Sequence, residues 1–164
     1  MSRPHLLDAL RDTVLLCDGG FGARIQAMTL DIERDFMGKE NCTEVLLLSR
    51  PDIVREIHRG YYEAGADMVE TNTFGASPIT LAEFGLEDQA FALNKVAVEL
   101  AREAAEQFAD GRHRWVVGSI GPGTKLPTLG NIDYDTLEAA LTVQAEGLIA
   151  GGADAILIET CQDT

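Results

Sequence analysis

Five polar residues stand where apolar runs give out: Asp18, Glu70, Asn72, Ser119 and Glu159. Carboxylates turned into one cavity suit proton transfer or the capture of an ammonium group. Asp18 opens the run Asp18-Gly19-Gly20-Phe21-Gly22, where glycine permits a sharp turn and a close approach of backbone to a ligand. The N–H groups of Gly19, Gly20 and Phe21 then make a nest for an anion. Carboxylates for an amine and amides for a carboxylate describe a site for a zwitterionic amino acid. Asp18 fits this role because its glycine turn is not needed as a helix cap. Glu159 fits it because it ends a fully apolar strand. Glu70 and Ser119 suit the site and packing at the rim equally well.

Other chemistries find less support. The glycine run is neither a dinucleotide fingerprint nor a phosphate-binding P-loop. The lysines, Lys39, Lys95 and Lys125, lie outside the predicted strands, so a Schiff-base enzyme lacks its nucleophile. His5, His58 and His113 fall in a tail, a helix and a turn and read as surface or packing histidines. Cys17, Cys42 and Cys161 are odd in number, widely spaced and without a C-x-x-C pair, which argues against a disulfide framework or a self-contained zinc site. Cys17 and Cys161 read as small buried hydrophobes beside strand ends.

The elements that must position these residues alternate. Residues 4–12 predict a short helix with Leu6, Leu7 and Leu10 on its apolar side. Val14–Cys17 predicts a first strand, and 23–48 is an excursion with a turn at Gly38–Asn41. A helix starts at Arg50-Pro51-Asp52, carries Ile53, Ile57, Tyr61 and Ala64 as a stripe, and stops at Gly65. Met68–Thr71 is the second strand. A short helix follows Pro78, and a long one spans 88–108 with Ala90, Leu93, Ala97, Leu100, Ala104 and Phe108 on one side. After a turn at Asp110-Gly111, Trp115–Ile120 is the third strand, leaving through Gly121-Pro122-Gly123. A last helix, capped near Asp135 with Glu138 completing a capping box, buries Leu137, Leu141, Leu148 and Ile149. Asp154–Ile158 is a fourth strand, buried on both faces. Ala64-Gly65-Ala66-Asp67…Glu70-Thr71 is echoed by Gly151-Gly152-Ala153-Asp154…Glu159-Thr160, the mark of a βα repeat. This rhythm predicts an α/β fold with a parallel sheet and right-handed crossovers. Polar or glycine-rich strand exits favour a (β/α) barrel over an open sheet. A closed barrel takes about 250 residues, so residues 1–164 read as its first four strands.

The chain has 164 residues, 46% of them hydrophobic, and a net charge of −14. That charge argues against nucleic acid or an anionic membrane as partner. No apolar run approaches the roughly 20 residues of a membrane span, and Met1–His5 lacks a signal-peptide core, so a cytoplasmic location is expected.

Taken in order, Asp18–Gly22, Arg50–Val54, Ala64–Asp67 with Glu70–Gly75, Gly118–Pro122 and Ile158–Thr160 resemble the homocysteine S-methyltransferase family, in the form found at the N-terminus of cobalamin-dependent methionine synthases. The resemblance spans nearly all of this chain but about the first half of that homocysteine-binding module. It implies a (β/α)8 barrel in which zinc makes the homocysteine thiol available as a thiolate. The methyl group would come from methylcobalamin recharged by 5-methyltetrahydrofolate. Relatives that use betaine or S-methylmethionine share this half. By the matching motifs, Asp18 and Glu159 hold the substrate's amino group and the amides around Gly20 and Phe21 take its carboxylate. Gly19, Asn72 and Ser119 complete the substrate-binding set.

The zinc-binding cysteines of the family lie on later strands, which places them beyond Thr164, and none of the three cysteines here falls in a matching motif. No metal site and no complete catalytic set is therefore expected in this chain. Alone it should be inactive, hold zinc weakly, and pair with the remaining half of the barrel or with a copy of itself. Folate- and cobalamin-binding modules are the expected partners in the parent protein.

Overall fold

The computed structural model describes residues 5–108 and 111–161. The expected helix start at Pro4, the N-terminal residues before His5, the turn residue Asp110 and the end of the chain from Gln162 to Thr164 lie outside them. The zinc-binding cysteines expected beyond Thr164 lie outside them too. Seven α-helices and three strands are described: α1 Leu6–Asp12, α2 Phe21–Gln26, α3 Leu46–Ser49, α4 Pro51–Glu63, β1 Met68–Glu70, α5 Pro78–Leu81, α6 Ala90–Gln107, β2 Trp115–Ile120, α7 Tyr134–Gly151 and β3 Ala155–Ile158. The sheet runs β1-β2-β3 with both pairings parallel. This is the α/β alternation that the sequence predicts.

The expected first strand is reduced to one bridge, Cys17 beside Met68. Asp67 and Met68 donate their N–H groups to Leu16 O, and Asp18 N–H donates to Met68 O. The segment thus lies along β1 without becoming a regular strand, and Val14 and Leu16 stay exposed. Leu7 and Leu10 are exposed too, and α1 reaches the core through buried Leu6, against Trp115 and Val117, and half-buried Ala9. The expected two-faced burial of the last strand also fails: Ile156, Leu157 and Ile158 are exposed, Ile158 at 68%. β3 forms the sheet edge, and among the described residues no strand pairs with its outer side.

Strand parity decides which side chains meet. Val69, Val116 and Ile120 join Tyr62, Val98 and Leu148 in a core between the sheet and α4, α6 and α7. Each large aliphatic side chain buried there stabilises the fold by about 1.5–3 kcal/mol. The alternate residues, Met68 and Glu70, Trp115, Val117 and Ser119, Ala155 and Leu157, face the other way. A second core, with Val45, Leu46, Ile57, Leu81 and Leu93, ties residues 42–57 to α5 and α6. Residues 23–48, which the sequence leaves unassigned, are held there, with positive φ at Met37, Gly38 and Asn41 marking the expected turn.

The helices bear out most of the expected stripes, with one correction at α4, where Ala64 is the exposed C-cap, and two at α7. The N-cap of α7 is Asp133, whose carboxylate accepts from Thr136 N–H, so the box expected at Asp135 and Glu138 does not form. Its buried line is Ala140, Gln144, Gly147 and Leu148, while Ile149 is exposed. Small residues govern this packing. A Cβ on Gly147 would stand 2.6 Å from Phe91 O, and one on Gly151 2.7 Å from Lys95 O. α6 therefore lies directly on the α7 backbone, and larger apolar residues are turned aside.

The repeated Gly-Ala-Asp phrase has one mechanical meaning in both copies. Asp67 gives its N–H to Leu16 O and its carboxylate accepts Leu16 N–H at 3.0 Å. Asp154 does the same with Val116, its carboxylate accepting at 2.8 Å. Each Asp fixes the start of a strand against its neighbour.

Candidate functional site

A cleft of about 670 Å³ opens at the C-terminal ends of the strands. All seven residues expected to bind substrate line it: Asp18, Gly19, Gly20, Phe21, Asn72, Ser119 and Glu159. Asp18 and Glu159, far apart in the chain, line one cleft because Asp18 follows a segment bridged to β1 on one side of the sheet and Glu159 follows β3 on the other. Glu70, Ser119 and Glu159 share a face by parity: Glu70 pairs with Val117, Ser119 lies two residues on, and Glu159 two beyond Leu157, its pairing partner.

Among the described residues the lining carries five carboxylates, from Asp18, Glu44, Glu70, Glu83 and Glu159, and no Lys, Arg or His. Such a cleft favours a cationic group. Burial pushes the Asp18 carboxyl up to about 7, although both of its oxygens accept the Glu70 N–H, at 3.1 and 3.2 Å. Glu70 is raised by burial and then by the charge of Glu159. Ser119 Oγ donates to Glu159 Oε1 in a short hydrogen bond that fixes the carboxylate's direction.

The glycine turn departs from expectation in one respect. Gly20 is the N-cap of α2, so the turn does start a helix, one of six residues. Tyr61 of α4 holds it from below, donating its hydroxyl to Gly20 O at 3.2 Å. A Cβ on Gly19 would stand 3.3 Å from that hydroxyl. Beneath Phe21 lies His58, its ring 5.4 Å away. It is wholly buried with neither nitrogen hydrogen-bonded, and burial lowers its pKa to about 4. It is thus a neutral packing residue.

The cysteines correct the sequence reading, since Cys17 and Cys161 are exposed and Cys42 is buried. Cys17 Sγ lies 3.4 Å from Asp18 Oδ1 and 3.4 Å from Glu70 Oε1. Burial, then these two charges, push its thiol up to about 12. Cys17, Asp18 and Glu70 form the one group of three ligand-type side chains whose atoms lie within 4.8 Å of one another among the described residues. One thiol with two carboxylates, one of them engaged by a backbone amide, does not fit the sulfur-rich zinc centre that the resemblance implies.

Sequence reasoning missed the residues that hold the wall of the cleft. Gln144 Nε2 donates to Thr73 O at 2.6 Å, and Asn94 Nδ2 to Ala76 O at 2.8 Å. Thr73 Oγ1 donates to Ser119 O at 2.7 Å. The signal lay in polar side chains interrupting the apolar lines of α6 and α7. Glu44, also in the wall, carried no such signal.

Residues 15–164 match the homocysteine S-methyltransferase family. Over 159 residues the chain is 47% identical to the methionine synthase of Mycobacterium tuberculosis and 45% identical to that of Mycobacterium leprae. Each match covers 96% of this chain and 13% of the relative, so the chain spans about an eighth of the length of these proteins. The homocysteine methyltransferase MmuM of Escherichia coli is similar in structure, with a TM-score of 0.77 for its oxidized form and 0.76 for its metallated form. Those matches are 28% identical and cover 98% of this chain and 58% of MmuM. Among the described residues no helix is long and apolar enough to cross a membrane. Motif order, the acid-lined cleft at the strand ends and these likenesses agree: the chain belongs to the homocysteine S-methyltransferase family.

Proposed function

We propose that this chain is the substrate-recognition part of a methyltransferase that makes methionine from homocysteine, built as the first half of a (β/α)8 barrel. The observation that carries the reading is that Asp18 and Glu159 line one cleft with no basic residue among its described lining. The substrate's ammonium lies between these two carboxylates, with Glu70 adding negative potential. Its carboxylate turns to the N–H groups around Gly20 and Phe21. Ser119 keeps Glu159 aimed, and Asn72 closes the wall. The chain binds and orients; zinc, methylcobalamin and the folate donor belong to the complete enzyme, and relatives that use betaine or S-methylmethionine remain the alternative for the donor. The expected test is calorimetric titration with L-homocysteine and with 4-mercaptobutyrate, which lacks the amine. Binding of the first and not the second, abolished by Glu159→Gln, supports the site. Equal binding of both ligands refutes it.

A second reading is favoured by the exposed β3 side chains and by Val14, 85% exposed. Unpaired strand edges and apolar faces promote association, so the isolated chain self-associates. Sedimentation showing a compact monomer at all concentrations would contradict this.

A further inference from the structure

Glu44 sits in the helical turn Thr43–Val45, in the wall of the cleft, and is 6% exposed. Its Oε1 accepts the Gly75 N–H at 2.8 Å, and Thr43 Oγ1 lies 3.3 Å from its Oε2. The same turn grips the wall a second time, where Asn72 Nδ2 donates to Thr43 O at 2.8 Å. Both holds fall on residues 72–75, the stretch that leaves β1 and carries Asn72 and Phe74 into the cleft lining. The far side of this stretch is pinned by Gln144 on Thr73 O and by the Gly121 N–H on Phe74 O at 3.2 Å. Position 75 is shaped to the carboxyl: a Cβ there would stand 2.9 Å from Glu44 Oε1.

We propose that Glu44 is a positioning residue for capture of the amino acid, latching residues 72–75 so that Asn72 and Phe74 form a preorganised wall opposite Asp18 and Glu159. The inference rests on the amino-acid site proposed above. Its physical basis is that a partly buried amide without an acceptor is costly, and a wall free to move binds less well. Among the described residues no basic side chain pairs with Glu44, and burial raises its pKa. Glu44 therefore works as a hydrogen-bond acceptor, and a neutral amide can replace it.

The test uses the chain itself, titrated with L-homocysteine, with amide exchange at Gly75 read by nuclear magnetic resonance. Glu44→Gln should keep Gly75 protected and affinity within about twofold of the unsubstituted chain. Glu44→Ala should expose Gly75 to exchange and weaken binding about tenfold. Should Glu44→Ala fail to fold, Gly75→Ala presses on the same contact from the other side and should weaken binding likewise. Native affinity in Glu44→Ala, or in Gly75→Ala where that variant stands in, overturns this inference alone. So does an equal loss in Glu44→Gln, which would assign the role to charge. No binding by the unsubstituted chain overturns the amino-acid site and this inference with it.

Discussion

Ligand binding to this cleft should depend on pH through Asp18. Its carboxyl is pushed up to about 7 by burial, and its neighbours Cys17, Glu70 and Tyr61 supply no positive charge. About one tenth of Asp18 is then ionised at pH 6, half at pH 7 and about nine tenths at pH 8. Capture of an ammonium group needs the ionised form, since the neutral acid gives up the charge attraction. Affinity should therefore rise about tenfold from pH 6 to pH 8, about 1.4 kcal/mol, and level off above that. L-Methionine is the better ligand for this measurement because it carries no thiol to titrate. Calorimetry in buffers of different ionisation enthalpy should also show a proton leaving the protein on binding near pH 7. Asp18→Asn should bind weakly at every pH and lose the slope. An affinity constant across pH 6–8, or a slope that survives Asp18→Asn, would refute the reasoning.

Three further outcomes follow from the packing. His58 is neutral in the fold with a pKa lowered to about 4 against 6.5 when unfolded, so the unfolded chain takes up the proton first. Its contribution is intact above about pH 6.5 and drains as pH falls towards 4, by up to about 3 kcal/mol; urea melts of His58→Phe should show a flatter dependence over that window. Gly121→Ala would place a Cβ 2.7 Å from Phe74 O and should lower stability by about 1–3 kcal/mol, read as a fall in Tm that Gly22→Ala, with nothing within 4 Å of its Cβ, does not reproduce. Asn94→Leu removes donors to Ala76 O and Ala90 O and should cost about 1–3 kcal/mol in denaturant titration; an unchanged midpoint would show that the 72–76 wall does not depend on it.

Much of this molecule was legible in its residues, and the failures share a cause. α4 and α6 follow their patterns because one side of each meets a continuous core, and β2 because both of its faces are covered, so local pattern and tertiary burial agree. β3 reads as a buried strand because Ala155–Ile158 is uniformly apolar, yet its outer side has no partner among the described residues and stays exposed. Val14–Cys17 has strand composition, but lying along a short β1 it makes one bridge. At α7 the contact is backbone to backbone through Gly147 and Gly151, a device that a search for leucine stripes misses. That Asp18, Asn72, Ser119 and Glu159 would line one cleft was legible because strand ends gather them. Asn94 and Gln144 were marked only as polar breaks in the apolar lines of α6 and α7, and Glu44 by nothing, because the wall groups they hold are backbone atoms distant in the chain.

The central claim is that Asp18 and Glu159 share one ammonium. A crystal structure of the chain soaked with L-homocysteine measures this directly. The amino nitrogen should lie about 3 Å from a carboxylate oxygen of each residue, with the ligand carboxylate towards Gly20 and Phe21. A ligand bound with its amine turned away from both acids would contradict it.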